Sequence, residues 1–128
     1  MNFHYTVETE KSMDEAVKAL EASLKEEQFG VLWDFDLTAK LQEKGLDFNT
    51  GYRVLEVCNP KEANRVLQED KVVGYFLPCK IVVYEDEGKT KIGLPKPTTL
   101  IELANNDKLT EIATDVENRL IRSIDQAI

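Results

Sequence analysis

The 128-residue chain carries 24 acidic against 16 basic residues, a formal net charge of −8, with 42% hydrophobic and 31% charged residues. That length and balance describe one domain with enough apolar surface to bury a core. The acidic surplus argues against a nucleic-acid backbone or an anionic membrane as partner, because both require a basic footprint.

The acidic residues are scattered along the chain, which is the pattern of a solvated surface rather than a charged tail. No apolar run approaches the roughly 18 residues of a spanning helix. The start, Met1-Asn2-Phe3-His4-Tyr5, lacks the basic and apolar regions of a signal peptide. Cys58 and Cys79 are therefore expected as reduced thiols in a cytoplasmic protein.

Asn2 to Glu8 alternates, with Phe3, Tyr5 and Val7 opposite Asn2, His4 and Thr6, the mark of a half-buried strand. Ser12 and Glu15 form a capping box, and Ala16, Val17, Leu20 and Leu24 recur at helical spacing, so a helix runs from Met13 to about Gln28. Val31 to Asp36 reads as a second strand with Val31, Trp33 and Phe35 on one face. A short helix over Leu37 to Lys44 ends at Gly45, and Leu46 to Gly51 is loop.

Tyr52 to Cys58 reads as the central strand. Asn59 then serves as N-cap, Pro60 as the first helical residue and Glu62 as the capping-box acid of a helix reaching Glu69. Its Ala63, Val66 and Leu67 are expected to face the sheet. Tyr75 to Leu77 is assigned to a fourth strand, and Pro78, which cannot donate to a ladder, marks a strand end, an edge or a bulge. Lys80 to Tyr84 resumes a β-branched run, Asp86-Glu87-Gly88-Lys89 forms a hairpin turn, and Lys91 to Leu94 completes the hairpin. Pro95-Lys96-Pro97 ends the sheet. Helical spacing returns at Leu100, Leu103 and Ala104, then over Leu109, Ile112, Ala113, Val116, Leu120 and Ile124.

This order predicts an α+β fold: a mainly antiparallel sheet covered by helices on one face. Val31, Trp33, Val54, Leu55, Val57, Leu77, Val82, Ile112 and Val116 are expected in its core, with the central strand covered on both sides. The strand-Cys58-Asn59-Pro60-helix passage and the run Gly74-Tyr75-Phe76-Leu77-Pro78-Cys79-Lys80-Ile81-Val82-Val83-Tyr84-Glu85 resemble the domain-of-unknown-function 302 family over nearly the whole chain. The resemblance implies a compact fold similar to the TATA-binding-protein-like class, arranged as a homodimer. It implies no established reaction, and fold similarity to a DNA-binding class is not evidence of DNA binding.

No phosphate-binding loop, nucleophile elbow or metalloprotease motif is present. The two cysteines are the first chemical candidates, each beside a proline at a strand boundary. A working thiol needs a lowered pKa, from a helix N-terminus or a nearby cation; Cys58 lies just before the helix start at Asn59, and Lys80 follows Cys79. Their spacing is not Cys-x-x-Cys, and packing as small hydrophobes is the preferred reading. Two cysteines and one distant histidine do not make a zinc signature, so no metal and no cofactor are expected. His4 reads as a surface residue. Asp34 and Asp36 resemble a carboxylate pair, although capping of the following helix accounts for Asp36. Arg53 shares a phase with Leu55 and Val57, which places its stem in the interior and its head at a cleft or interface. The candidate ligand-binding residues are thus Tyr52, Arg53, Cys58, Asn59 and Cys79. They fit a non-enzymatic homodimeric module for a small ligand or a protein partner, with a thiol-dependent carrier or redox enzyme as the alternative.

Overall fold

A computed structural model describes residues 2–128. Five strands, β1 (His4–Thr9), β2 (Gly30–Asp36), β3 (Tyr52–Cys58), β4 (Cys79–Asp86) and β5 (Lys89–Pro95), form one sheet in the order β1-β5-β4-β3-β2. Every neighbouring pair is antiparallel. The helices are α1 (Met13–Glu26), α2 (Leu37–Glu43), α3 (Pro60–Glu69), α4 (Pro97–Ile101) and α5 (Asp107–Ala127). The fold is α+β. Among the described residues, no helix is long and apolar enough to cross a membrane.

The local signals act as read. Ser12 accepts from the Glu15 amide while the Glu15 carboxylate accepts from the Ser12 amide, closing a capping box at α1. Gly45 follows α2 with φ near +77°, a left-handed conformation that costs glycine little. Glu87 and Gly88 both have positive φ in the two-residue β4–β5 turn, the backbone that matches strand twist.

The core lies between the sheet and the pair α1 and α5. Leu20 and Leu24 of α1 meet Leu120 and Ile124 of α5 over Leu55, Ile81, Val83 and Ile92, all buried. Ser23 Oγ donates to the Ser123 carbonyl at 2.7 Å, so the helix contact satisfies its own buried hydroxyl.

Four expectations are corrected. Trp33 is not a core residue: it is 54% exposed. The register of β2 on β3 shifts between Val31 and Trp33, which inserts Leu32 as a bulge. Val31 therefore faces the helices with its partner Val57, while Trp33 and Phe35 turn to the other side of the sheet with Glu56 and Val54. Second, 71–76 is a 3₁₀ turn rather than a strand. Asp70 caps it by accepting from the Val72 amide, and Gly74 lies so close to Leu67 that a Cβ there would sit 2.5 Å from its Cδ2. The cis Leu77–Pro78 peptide then leads into β4, which starts at Cys79. Third, α3 packs on α5 and on this turn rather than on the sheet, burying Val66 and leaving Leu67 exposed. Fourth, Phe3 is exposed, just outside β1.

β3 has helices on one face, where Leu55 and Val57 are fully buried. Its other face is only half-covered, by its own neighbours: Val54, Tyr52 and Glu56 are of intermediate burial there, as is Val82 opposite. Leu77 is likewise half-buried, and α2 packs against the β3 side of the sheet.

Candidate functional site

Where the sheet ends and α3 begins, the packing leaves a cleft of about 310 Å³. Its inner wall is the apolar stripe of α5, including Leu109, Ile112, Val116 and Leu120. Val66 of α3, Phe76 and Leu77 close one side, and Pro97, Leu100 and Ile101 of α4 close the other. A long amphipathic helix supplies one unbroken apolar surface, and the proline-bounded segment 95–101 breaks from β5 to stand across from it. Glu117 of α5 pins that segment by accepting from the Thr98 amide at 3.0 Å and its hydroxyl at 2.7 Å.

Three candidates meet here. Cys58, Asn59 and Cys79 all line the cleft. The register places Cys79 opposite Val57, with Cys58 one residue further along, so the two cysteines enter from neighbouring strand ends. Asn59 is 5% exposed and caps α3, its Oδ1 accepting from the amides of Lys61 at 3.0 Å and Glu62 at 3.3 Å. The expected capping box is incomplete. Glu62 turns instead to Arg65 at 3.0 Å and Arg119 at 3.8 Å.

Tyr52 and Arg53 lie elsewhere, at the far end of β3, roughly 20 Å away along the strand. Arg53 bridges the Asp34 carboxylate and Asp14 of α1, and these hydrogen bonds hold its guanidinium above its ordinary pKa. Asp34 is thereby an ion-pair partner, and Asp36 caps α2 by accepting from Ala39 at 2.9 Å. Tyr52 packs against Tyr84 and Phe48. His4 is exposed, with Nδ1 2.8 Å from the Thr6 hydroxyl.

The family model for the domain of unknown function DUF302 matches residues 5–127. The chain belongs to the DUF302 family. A crystal structure of an uncharacterized conserved DUF302 protein from Bacillus stearothermophilus is similar at 57% sequence identity, covering all of both chains with a TM-score of 0.97. No curated protein matches.

Electrostatics at the DUF302 cleft favour neutral thiols. Burial pushes the Cys79 thiol up to about 11, with the nearby Cys58 adding to the effect. Burial raises Cys58 as well. A thiolate nucleophile needs the opposite, and the first turn of α3 spends its amides on Asn59 rather than on sulfur. Among the described residues, no group of three or more His, Cys, Asp or Glu is placed to hold a metal ion.

A charged cluster beside this wall escaped the sequence reading. Arg119 lies 5.1 Å from the centre of the Phe29 ring and donates to the Glu27 carbonyl at 2.6 Å. Arg122 bonds the Glu27 carboxylate at 3.1 Å and, with Arg119, holds it below the usual carboxylate range. These residues join the end of α1 and the start of α3 to the body of α5, and no spacing within one segment announces such a contact. The walls at Phe76, Pro97 and Leu100 had a fainter signal: apolar residues next to prolines, in stretches that bury little of their own.

Proposed function

We propose that this DUF302 protein is a cytoplasmic, non-enzymatic binding module that works as a homodimer and holds a small ligand in the cleft between α3, α4 and α5. The observation carrying this reading is the cleft itself: concave and walled mainly by aliphatic side chains, with Cys58, Asn59, Cys79 and Glu62 reaching it and Glu56, Tyr75 and Lys80 also along its lining. Its volume lies at the small end of ligand pockets. The runner-up, a thiol-dependent carrier or redox enzyme using Cys58 or Cys79, is weakened by the raised pKa of both thiols.

The homodimer draws support from the uncovered side of the sheet. Trp33 stacks on Phe35 there with ring centres 5.0 Å apart, alongside Val54, Val82, Tyr52 and Tyr84. The charges on this face come in opposite pairs, Glu56 facing Lys80 across the strands and Lys91 bonding Asp86 at 3.1 Å. A two-fold interface must be complementary to itself, and a patch of one sign would repel its own copy.

The test is a thermal-shift screen of small uncharged organic molecules against the wild-type protein and Ala63→Phe, which narrows the cleft from the α3 wall. Compounds that raise the melting temperature of the wild type and not of the variant are expected. A screen without such a compound would remove the ligand-binding reading.

A further inference from the structure

Of the polar side chains at the cleft, one is buried with a donor left to place. Glu62 is held by Arg65 and Arg119. Lys80 is exposed and, out of phase with Cys79 and Ile81, lies with Glu56 on the sheet face turned from the helices. The thiols of Cys58 and Cys79 keep their protons at neutral pH. Among the described residues, no cation is thus buried inside the cleft for a carboxylate or phosphate, and bringing an ion among these aliphatic walls would cost its hydration without return.

That side chain is Asn59. Its Oδ1 faces the first amides of α3, which fixes the orientation of the side-chain amide. Nδ2 is therefore turned away from the helix. Among the described residues it donates to no protein atom, although Asn59 is only 5% exposed. No fully enclosed side-chain polar atom among the described residues lacks a partner, so Nδ2 keeps accessible surface, and the open space beside Asn59 is the cleft. A primary amide has two donors to place, and a donor in an apolar recess selects for an acceptor.

We infer that the cleft takes an uncharged, mainly aliphatic molecule carrying one acceptor oxygen, of carbonyl type, that receives a hydrogen bond from Asn59 Nδ2. This deepens the binding-module reading and rests on it. The cleft volume corresponds to about ten waters, hence to a ligand of about ten non-hydrogen atoms. The same residue thus does two jobs, with its oxygen holding the helix start and its nitrogen reading the ligand.

The test uses three probes of one size, a straight-chain octanone, octane and octanoate, titrated at pH 7 into the full chain labelled with nitrogen-15. Octanone is expected to shift the backbone amides around the cleft and the Asn59 side-chain amide. Octane should shift the backbone amides alone and bind about five- to tenfold more weakly, the loss of one hydrogen bond. Octanoate should bind more weakly than either. Asn59→Asp keeps the capping oxygen but loses the donor. In that variant octanone should lose its advantage over octane, with the backbone amide spectrum confirming that the domain is still folded. Equal affinities of octanone and octane with a still Asn59 side-chain amide, or octanoate binding as tightly as octanone, would overturn the ligand class and leave the binding module standing. If no probe moves any cleft amide, the binding module fails and the ligand class with it.

Discussion

Thiol labelling separates a packed cysteine from a working one, and the structure sets the size of the difference. A thiol with a pKa of about 11 is ionised in about one part in 10,000 at pH 7, against a few per cent for an ordinary cysteine near 8.5. Cys79 should therefore react with iodoacetamide about 300-fold more slowly than a free cysteine, before its enclosure by the cleft walls slows it further. Cys58, half-buried with a smaller displacement, should react at an intermediate rate. The assay is mass spectrometry of the native protein after timed exposure at pH 7, repeated in rising urea. Labelling of Cys79 should accelerate sharply once urea populates open forms, because reaction then proceeds through them. Rapid labelling of Cys79 in the native protein would refute this account of its surroundings. Rapid labelling of Cys58, with a midpoint well below 8.5, would put the thiol-dependent function ahead of the binding module.

The same displacement has a stability consequence. Cys79 holds its proton more tightly when folded, so its contribution is complete below the ordinary thiol range and is lost as pH rises from about 8.5 toward about 11. The melting temperature should fall across that window, less steeply in Cys79→Ala. Asn59→Ala removes the acceptor for two first-turn amides in a buried position and should cost about 1 kcal/mol, seen as an earlier urea midpoint. An unchanged midpoint would mean that the cap is dispensable. For the homodimer, light scattering at tens of micromolar should give twice the chain mass. Trp33→Glu, on the open face, should give the monomer mass with little change in secondary structure.

What the sequence made legible was what short spacings encode. The α1 capping box and its stripe from Ala16 to Leu24 needed only local physics, as did the Asn59–Pro60 start of α3 and the Glu87–Gly88 turn. Alternation assigned the faces of β3 correctly. It failed in β2 because one inserted residue, Leu32, reverses every side chain beyond it, and a bulge leaves no mark in a pattern of period two. The apolar letters of Tyr75 to Leu77 suited a strand. Their conformation was decided by the Asp70 cap and by the close approach of Gly74 to Leu67. At the site, Cys58, Asn59 and Cys79 were found through their prolines and caps. Tyr52 and Arg53 belong to the same strand, but alternation carries no information about which end of a strand borders a cleft. The α5 wall was visible as a helix stripe, whereas its unfilled stretch depends on where α3 and α4 dock.

The cleft also has an order of assembly. Its walls come from β3, α3, the 71–76 turn, β4, β5, α4 and α5, so no fragment lacking α5 contains the whole cleft. During synthesis the sheet strands and α3 emerge first and expose the cleft's other walls to water until α5 has been made. If the cleft binds a ligand as proposed, that ligand enters a folded domain, and its contacts bind α5 more firmly to the rest.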